Sequence, residues 1–571
     1  MTDWSAGYVT EVPYSYNYSH QTPQNLAFAA LAKGVAAPGL DAEPLRILEL
    51  GCGQGYSANL IAAANPHLDY TAIDFNPAHI AGARALAGAA GTCNVHFTEA
   101  SFEEFAGDRG TGEFDVITLH GIYSWISVEN RAHIIRIARE KLRPGGILYL
   151  SYNCYPGWAP SIPVHRLFAD VAAGAPQEPV DFRIDQSFKV FKLLSDIGAR
   201  YLEANPAVVE RFKQMENLPR NYLAHEFLNT NWTIFHSADV SREFSQAKLQ
   251  FVAPVHIADQ LDPLNLTDRQ QHILNQVRDP TRKESLRDLL VNQDFRRDLY
   301  MKGAFQQAES SQERWRDLRF ALLARAVDIP LKIKGMLSEA TLSPESYGPL
   351  LERLDAGPAT FRELIAEPKI APLGVVNLRQ HLLVLNAQRT CQIALPLDGE
   401  DERKKSTAAF NRAVLSHARQ GSTFGFLASP VTGGGVAVDR TGQLALLAMQ
   451  EGIKDRASFI WSFLKEDQTP IHQTGGERGA SSRAAIDQSL ANFDTKLLTV
   501  LKRLKICQSP HNEVMQENTW KGQELFPLEP SRYAIDWLSN SLVDQIHGHA
   551  PYYRLSLSKL YRFYHINVNY G

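Results

Sequence analysis

Residues 45–55 read LRILELGCGQG, a short apolar run that ends in an acidic residue and opens into a glycine loop. Leu45, Ile47, Leu48 and Leu50 predict a buried parallel strand. Gly51, Gly53 and Gly55 let the backbone turn sharply beneath a ligand. The loop then opens a helix over 56–64, whose unpaired N–H groups and positive dipole end face whatever lies above the glycines. A second strand over 70–73 ends in Asp74, 19 residues beyond Gly55. That is near the spacing at which an acidic strand tip reaches ribose hydroxyls. The dinucleotide fingerprint G-x-G-x-x-G requires glycine at position 56, where this chain has Tyr, so nicotinamide chemistry is disfavoured.

Working outward, the units from 45 to about 158 alternate as a doubly wound α/β fold requires. Strands are predicted over 45–50, 70–73, 94–98, 114–119 and 147–150, with helices over 56–64, 77–90 and 128–141. The strand ends that should face the ligand crevice are Glu49 to Gly55, Asp74-Phe75, Ser101-Phe102, His120-Gly121 and Ser151 to Trp158. Upstream, Tyr14, Tyr16 and Tyr18 precede a helix over 24–33, and the segment is expected to form a lid.

ELGCGQG followed by AIDFNP resembles the cofactor site of class I S-adenosylmethionine-dependent methyltransferases. The resemblance implies a Rossmann-like methyltransferase domain and S-adenosyl-L-methionine as cofactor. The cofactor contacts it implies are Tyr14, Gln21, Glu49, Gly51, Gly53, Gly55, Asp74, Phe75, Ser101, Phe102, His120 and Gly121. NYLAHEFLN, WTIFHSADVSREFSQAKLQFVA and LASPVTGGG resemble a bacterial family in which a methyltransferase regulatory domain follows the catalytic one. That family includes the rickettsial protein-lysine methyltransferases that modify outer membrane protein B. Lysine as acceptor, and hence a protein substrate, is what this resemblance implies.

HGIYSWIS (120–127) and SYNCYPGW (151–158) bring Tyr123, Trp125, Tyr152, Tyr155 and Trp158 to two strand ends. Aromatic faces attract cations, and both a sulfonium and a lysine ammonium are cations. Tyr123, Trp125, Tyr152, Asn153 and Trp158 are therefore the candidates for handling the acceptor, with His120 either a base or a pocket wall. Neither stretch contains Lys or Arg, which argues against a carboxylate acceptor.

The 571 residues exceed one core and predict several domains. Four are expected: 1–160, the methyltransferase domain with its lid; 161–335, mostly helical and regulatory; 336–400, winged-helix-like; and 401–571, C-terminal. Residues 1–160 carry 15 acidic and 9 basic side chains, a poor match to nucleic-acid phosphates and a tolerable one to a cationic substrate. The winged-helix-like segment offers only Arg379 and His381 on its would-be recognition helix, so a packing module without specific nucleic-acid binding is expected. PVTGGGVAV (430–438) lacks the Lys and Ser/Thr of a phosphate loop and is expected to be structural. The aromatic tail over 549–571 is expected to pack on the body.

Five scattered cysteines outside metal spacing argue against a metal site and for a reducing compartment. With no basic leader and no span of about 20 apolar residues, a cytoplasmic protein without membrane insertion is expected. Residues 161–571 are left for substrate recognition or for self-association as a homodimer. The alternatives to a protein methyltransferase are a small-molecule methyltransferase and a non-catalytic cofactor-binding regulatory or assembly protein.

Overall fold

A computed structural model of the chain describes residues 4–507, apart from 13–14, 41–42, 304–307, 338, 466–470, 473–477 and 480–482. Tyr14 and the aromatic tail thus lie outside the described residues. Seven strands form the central sheet: β1 (Arg46–Leu50), β2 (Asp69–Asp74), β3 (Val95–Glu99), β4 (Phe114–Leu119), β5 (Leu142–Asn153), β6 (Leu249–Pro254) and β7 (Phe295–Lys302). Their order is β3-β2-β1-β4-β5-β7-β6. The first five are parallel, with Leu50 beside Ile73 and Ile47 beside Val116, while β7 runs antiparallel to both neighbours. Strand order reverses between β1 and β4, the place where open α/β sheets hold ligands beyond their strand ends.

The helices within residues 23–141 are α1 (Pro23–Ala32), α2 (Tyr56–Ala64), α3 (Pro77–Ala90), α4 (Phe102–Gly107) and α5 (Val128–Lys141). Local chemistry sets their ends. Asn76 accepts from the Ala78 N–H ahead of Pro77, and Gly91 closes α3 in the left-handed conformation. Ser101 and Glu104 form a capping box on α4. The α1 expectation is corrected in one respect. Leu26 to Leu31 are all buried, and Phe28 meets Trp315 and Phe320, so α1 is a core wedge rather than a lid.

The expected boundary at residue 160 falls inside the sheet, because β6 and β7 complete it. Residues 295–302, FRRDLYMK, lie in a stretch whose sequence reads as a continuing amphipathic helix. The helix ends at Val291 and the chain enters β7 instead. Apolar alternation is hidden because Arg296 and Asp298 are buried and satisfied: Arg296 pairs with Asp298, Asp288 and Glu284. Phe235 joins the end of the sheet through a single isolated bridge to Cys154.

Beyond the main sheet, strand 319–322 pairs with 359–360 and 391–394, beside helices over 344–355, 361–366 and 374–387. This is the winged-helix-like order. Arg379 lies 5.2 Å over the Trp315 ring and His381 stacks on Tyr347 at 4.1 Å, so both side chains pack within the module. The C-terminal region docks on the back of the glycine-loop helix, with Phe410 and Val414 in one apolar cluster with Tyr56 and Leu60. Its hairpin, 426–428 with 435–437, holds the glycine-rich turn. Gln24 Nε2 donates to the Thr432 carbonyl and Asn65 Nδ2 to that of Gly433, both at 2.7 Å. The turn is a docking element.

Candidate active site

The strand ends open into a cavity of about 2070 Å³. Small-molecule pockets usually occupy about 300–1,000 Å³, so this one has room for two ligands side by side. Its floor at the switch point is the glycine loop. Gly51, Gly53 and Gly55 all have positive φ, and each has a different reason to be glycine. A Cβ on Gly51 would strike the Ile122 side chain, and one on Gly55 would strike Ala83 and Phe97 where α2 crosses toward α3 and β3. At Gly53 a Cβ would project into open space, which leaves the backbone bare toward the cavity. Gly121 is open in the same way, and its N–H donates to Ser151 Oγ.

Asp74 anchors this floor. One carboxylate oxygen accepts from the Gly53 N–H at 2.9 Å; the other accepts from the Asn76 N–H at 2.9 Å and lies 3.2 Å from His79 Nδ1. Two carboxylate oxygens have about four acceptor sites, so capacity remains for hydroxyls of a ligand. Glu49 is buried beneath the loop, where it accepts from the Tyr70 hydroxyl at 3.0 Å. Burial pushes its carboxyl up to about 8. Phe75, Ser101 and Phe102 continue the wall, although the Ser101 hydroxyl is committed to the α4 cap. Trp4 and Tyr8, which the sequence did not suggest, extend it through ring contacts with Phe75.

On the opposite side, Gln21 lines the cavity with both polar atoms of its buried amide lacking a partner among the described residues. His120 is half-buried, with Nδ1 2.6 Å from the Tyr149 hydroxyl and 3.4 Å from His20 Nε2. Burial, then the charge of Arg297, holds it well below the usual imidazole range, so it is neutral. The bare Gly53 and Gly121 backbones, the spare capacity of Asp74 and the unpartnered Gln21 amide together suit a ligand with both hydroxyl and amino-acid ends. S-adenosylmethionine is such a molecule.

The acceptor candidates divide. Trp125, Asn153 and Trp158 line the cavity. Tyr123 and Tyr152 do not: both are fully buried in the core. Tyr123 donates to Glu243 between Phe235 and Phe244, and Tyr152 donates to Asp298 at 2.6 Å. Period-two alternation along β5 accounts for the difference between Tyr152 and Asn153. Tyr155 stacks on His236 instead.

Three groups that sequence spacing cannot connect join the wall beside Asn153. Glu226, from NYLAHEFLN, accepts from Asn153 Nδ2 at 3.3 Å, and burial pushes its carboxyl up to about 7. Asp294, which burial pushes up to about 6, pairs with Arg211, whose guanidinium lies 4.7 Å over the Trp158 ring. Arg297 and Arg389 line the cavity too. The case against a carboxylate acceptor, built on two stretches without Lys or Arg, therefore fails: distant segments supply the cations.

Residues 48–148 match the model of a methyltransferase domain, and 219–302 match that of a predicted methyltransferase regulatory domain. The uncharacterized protein sll1526 of Synechocystis sp. is 37% identical over 509 residues, spanning 88% of this chain and 99% of that one. The chain belongs to the class I S-adenosylmethionine-dependent methyltransferases that carry a methyltransferase regulatory domain. In this methyltransferase the regulatory match contains β6 and β7, so the regulatory segment is built into the catalytic sheet. Its fold is similar to that of PKMT2 from Rickettsia typhi, solved in complex with AdoHcy, at TM-score 0.64 and 18% identity over 86% of this chain and 99% of that one. A malonyl-[acyl-carrier protein] O-methyltransferase of Paenibacillus sp. is 29% identical over 165 residues, 28% of this chain and 57% of that enzyme.

Proposed function

We propose that this methyltransferase transfers the methyl group of S-adenosylmethionine to a side-chain amine of a protein, most simply a lysine. When bound, the cofactor supplies a methyl group already activated on a sulfonium. What the chain must add is alignment, exclusion of water and removal of a proton from the acceptor ammonium, whose reference pKa is about 10.4.

The observation that carries the proposal is Glu226. It is a buried carboxyl with affinity for a proton near neutrality, held by Asn153 on the wall that also contains Trp125 and Trp158. Such a group takes the proton from an amine, and the Trp125 indole, whose face is not taken by Arg211 as that of Trp158 is, favours the cationic side chain that brings it. Asn153 orients the carboxylate, and Arg211 keeps Asp294 paired so that Glu226 receives the proton. The similarity in fold to PKMT2 agrees with a protein acceptor. Residues 161–335, 336–400 and the C-terminal region from 401 would then recognise that protein or join two copies of the chain.

Incubation of the purified protein with isotopically labelled S-adenosylmethionine and cell lysate, followed by mass spectrometry, tests this. Label on lysine supports the proposal. Label only on a small metabolite, or on glutamate, overturns the amine acceptor and leaves methyl transfer intact.

A further inference from the structure

Arg389 is the second residue past the helix over 374–387, following the cap Gln388, in left-handed backbone conformation at φ 61°. Helices commonly end on such a residue, and it is usually glycine, because a Cβ there carries strain. The turn is fully formed around it: the Arg389 N–H donates to the Asn386 carbonyl and the Thr390 N–H to that of Leu385. Helix termination therefore explains the conformation but not the arginine. Its side chain lines the cavity, and Nη2 lies 3.3 Å from His256 Nε2. Among the described residues its guanidinium contact is with the His256 ring and not with a carboxylate. Of its polar neighbours Arg297 acts on it most, by repulsion, followed by Tyr16 and then Asp259, which is itself 3.8 Å from His256 Nδ1. His20, which touches His120 at the β4 end, feels the fields of both Arg297 and Arg389, so the guanidinium stands within electrostatic reach of the cofactor side of the cavity.

A guanidinium in a half-buried cavity without a carboxylate partner is costly to maintain unless something anionic completes it. We propose that Arg389, steadied by His256, forms a carboxylate-binding subsite of this cavity. The carboxylate comes either from the amino-acid end of the cofactor or from the methyl acceptor, and in both cases the fork of the guanidinium gives paired N–H donors. Burial and the neighbouring Arg297 lower its affinity for its own proton, to about 10. This inference rests on the cofactor cavity and not on lysine as acceptor.

Calorimetric titration of the full chain and of Arg389→Gln, using AdoHcy, 5′-methylthioadenosine and glutarate as probes, tests it. If the cofactor supplies the carboxylate, Arg389→Gln weakens AdoHcy about tenfold or more and leaves 5′-methylthioadenosine, which lacks the amino-acid end, unchanged. If the acceptor supplies it, AdoHcy is unmoved, while glutarate binds the AdoHcy-loaded wild type and not the variant. Equal binding of all three probes by wild type and variant overturns the subsite. Should Arg389→Gln not fold, Arg389→Lys keeps the charge without the fork and should show the same pattern with a smaller loss. Wild-type protein that fails to bind AdoHcy would instead overturn the cofactor assignment, and glutarate titrated into unloaded wild type and unloaded Arg389→Gln then decides the subsite alone.

Discussion

The Tyr56 hydroxyl holds both backbone polar groups of Phe426, donating to its carbonyl at 2.5 Å and accepting from its N–H at 2.9 Å. Tyr56 is the first residue of α2, at the position where a dinucleotide fold would have its third glycine, and its ring also packs 4.7 Å from Phe424. Tyr56→Phe should lower stability by about 1–3 kcal/mol, since it strands a buried donor and acceptor together. Urea unfolding measures this; an unchanged midpoint would mean that the hairpin docks without the hydroxyl.

Asp74→Ala should weaken AdoHcy binding by about 1.5–3 kcal/mol, the range for hydrogen bonds to a charged group, and should free the Gly53 N–H. Calorimetry with NAD on the wild type should give no binding heat. Strong NAD binding would contradict the assignment of the site.

Glu226 should govern the pH dependence of both turnover and stability. Its folded value near 7 lies above the ordinary carboxyl range of about 4.3, so folding favours the protonated form. The stability this contributes is fully present below about pH 4.3 and is lost as pH rises through about 7. Glu226→Gln removes that loss. Relative to the wild type, the variant should gain on the order of 3 kcal/mol between pH 4.5 and 8. Turnover by the wild type should rise through pH 7, whereas the variant should be slow throughout. A parallel pH profile in both proteins would remove Glu226 as the base.

Trp125 and Tyr152 make a contrasting pair. Trp125→Ala should lower kcat more than it lowers AdoHcy affinity if the ring aligns the acceptor. Tyr152→Phe should leave both nearly unchanged and cost about 1–3 kcal/mol of stability, because its hydroxyl serves Asp298 in the core. A large kcat loss in Tyr152→Phe would return it to the site.

Arg379→Ala should lower the unfolding temperature, because the guanidinium covers Trp315 and Phe361. A gel shift at low salt should show no sequence-preferring DNA complex for the wild type; a preferred site that disappears in the variant would overturn the packing role.

The first five strands were legible because their apolar runs and glycine turns are local signals, and so was the position of the floor residues Gly53 and Asp74. β7 was not, because Arg296 and Asp298 look like solvated helix positions until Asp288 and Glu284 arrive from the preceding helix to satisfy them. Tyr123 and Tyr152 were misplaced for a related reason: proximity to a strand end does not say which face a side chain takes. Glu226, Arg297 and Arg389 sit on three separate segments, and nothing in their spacing shows that they line one cavity. Only the resemblance of NYLAHEFLN to a known family drew attention to the stretch that holds Glu226.

The antiparallel pairing of β5 with β7 also fixes when the molecule can start to work. Asn153 leaves the ribosome well before its partner Phe295, and the hairpin that grips Tyr56 follows later still. At about 5–20 residues per second the glycine loop waits many seconds for its sheet to close. Until then an exposed β5 edge is open to pairing with the wrong chain. A truncated product that ends before residue 295 should therefore aggregate rather than survive as a small active methyltransferase, and activity should begin only once the last strands have been synthesised.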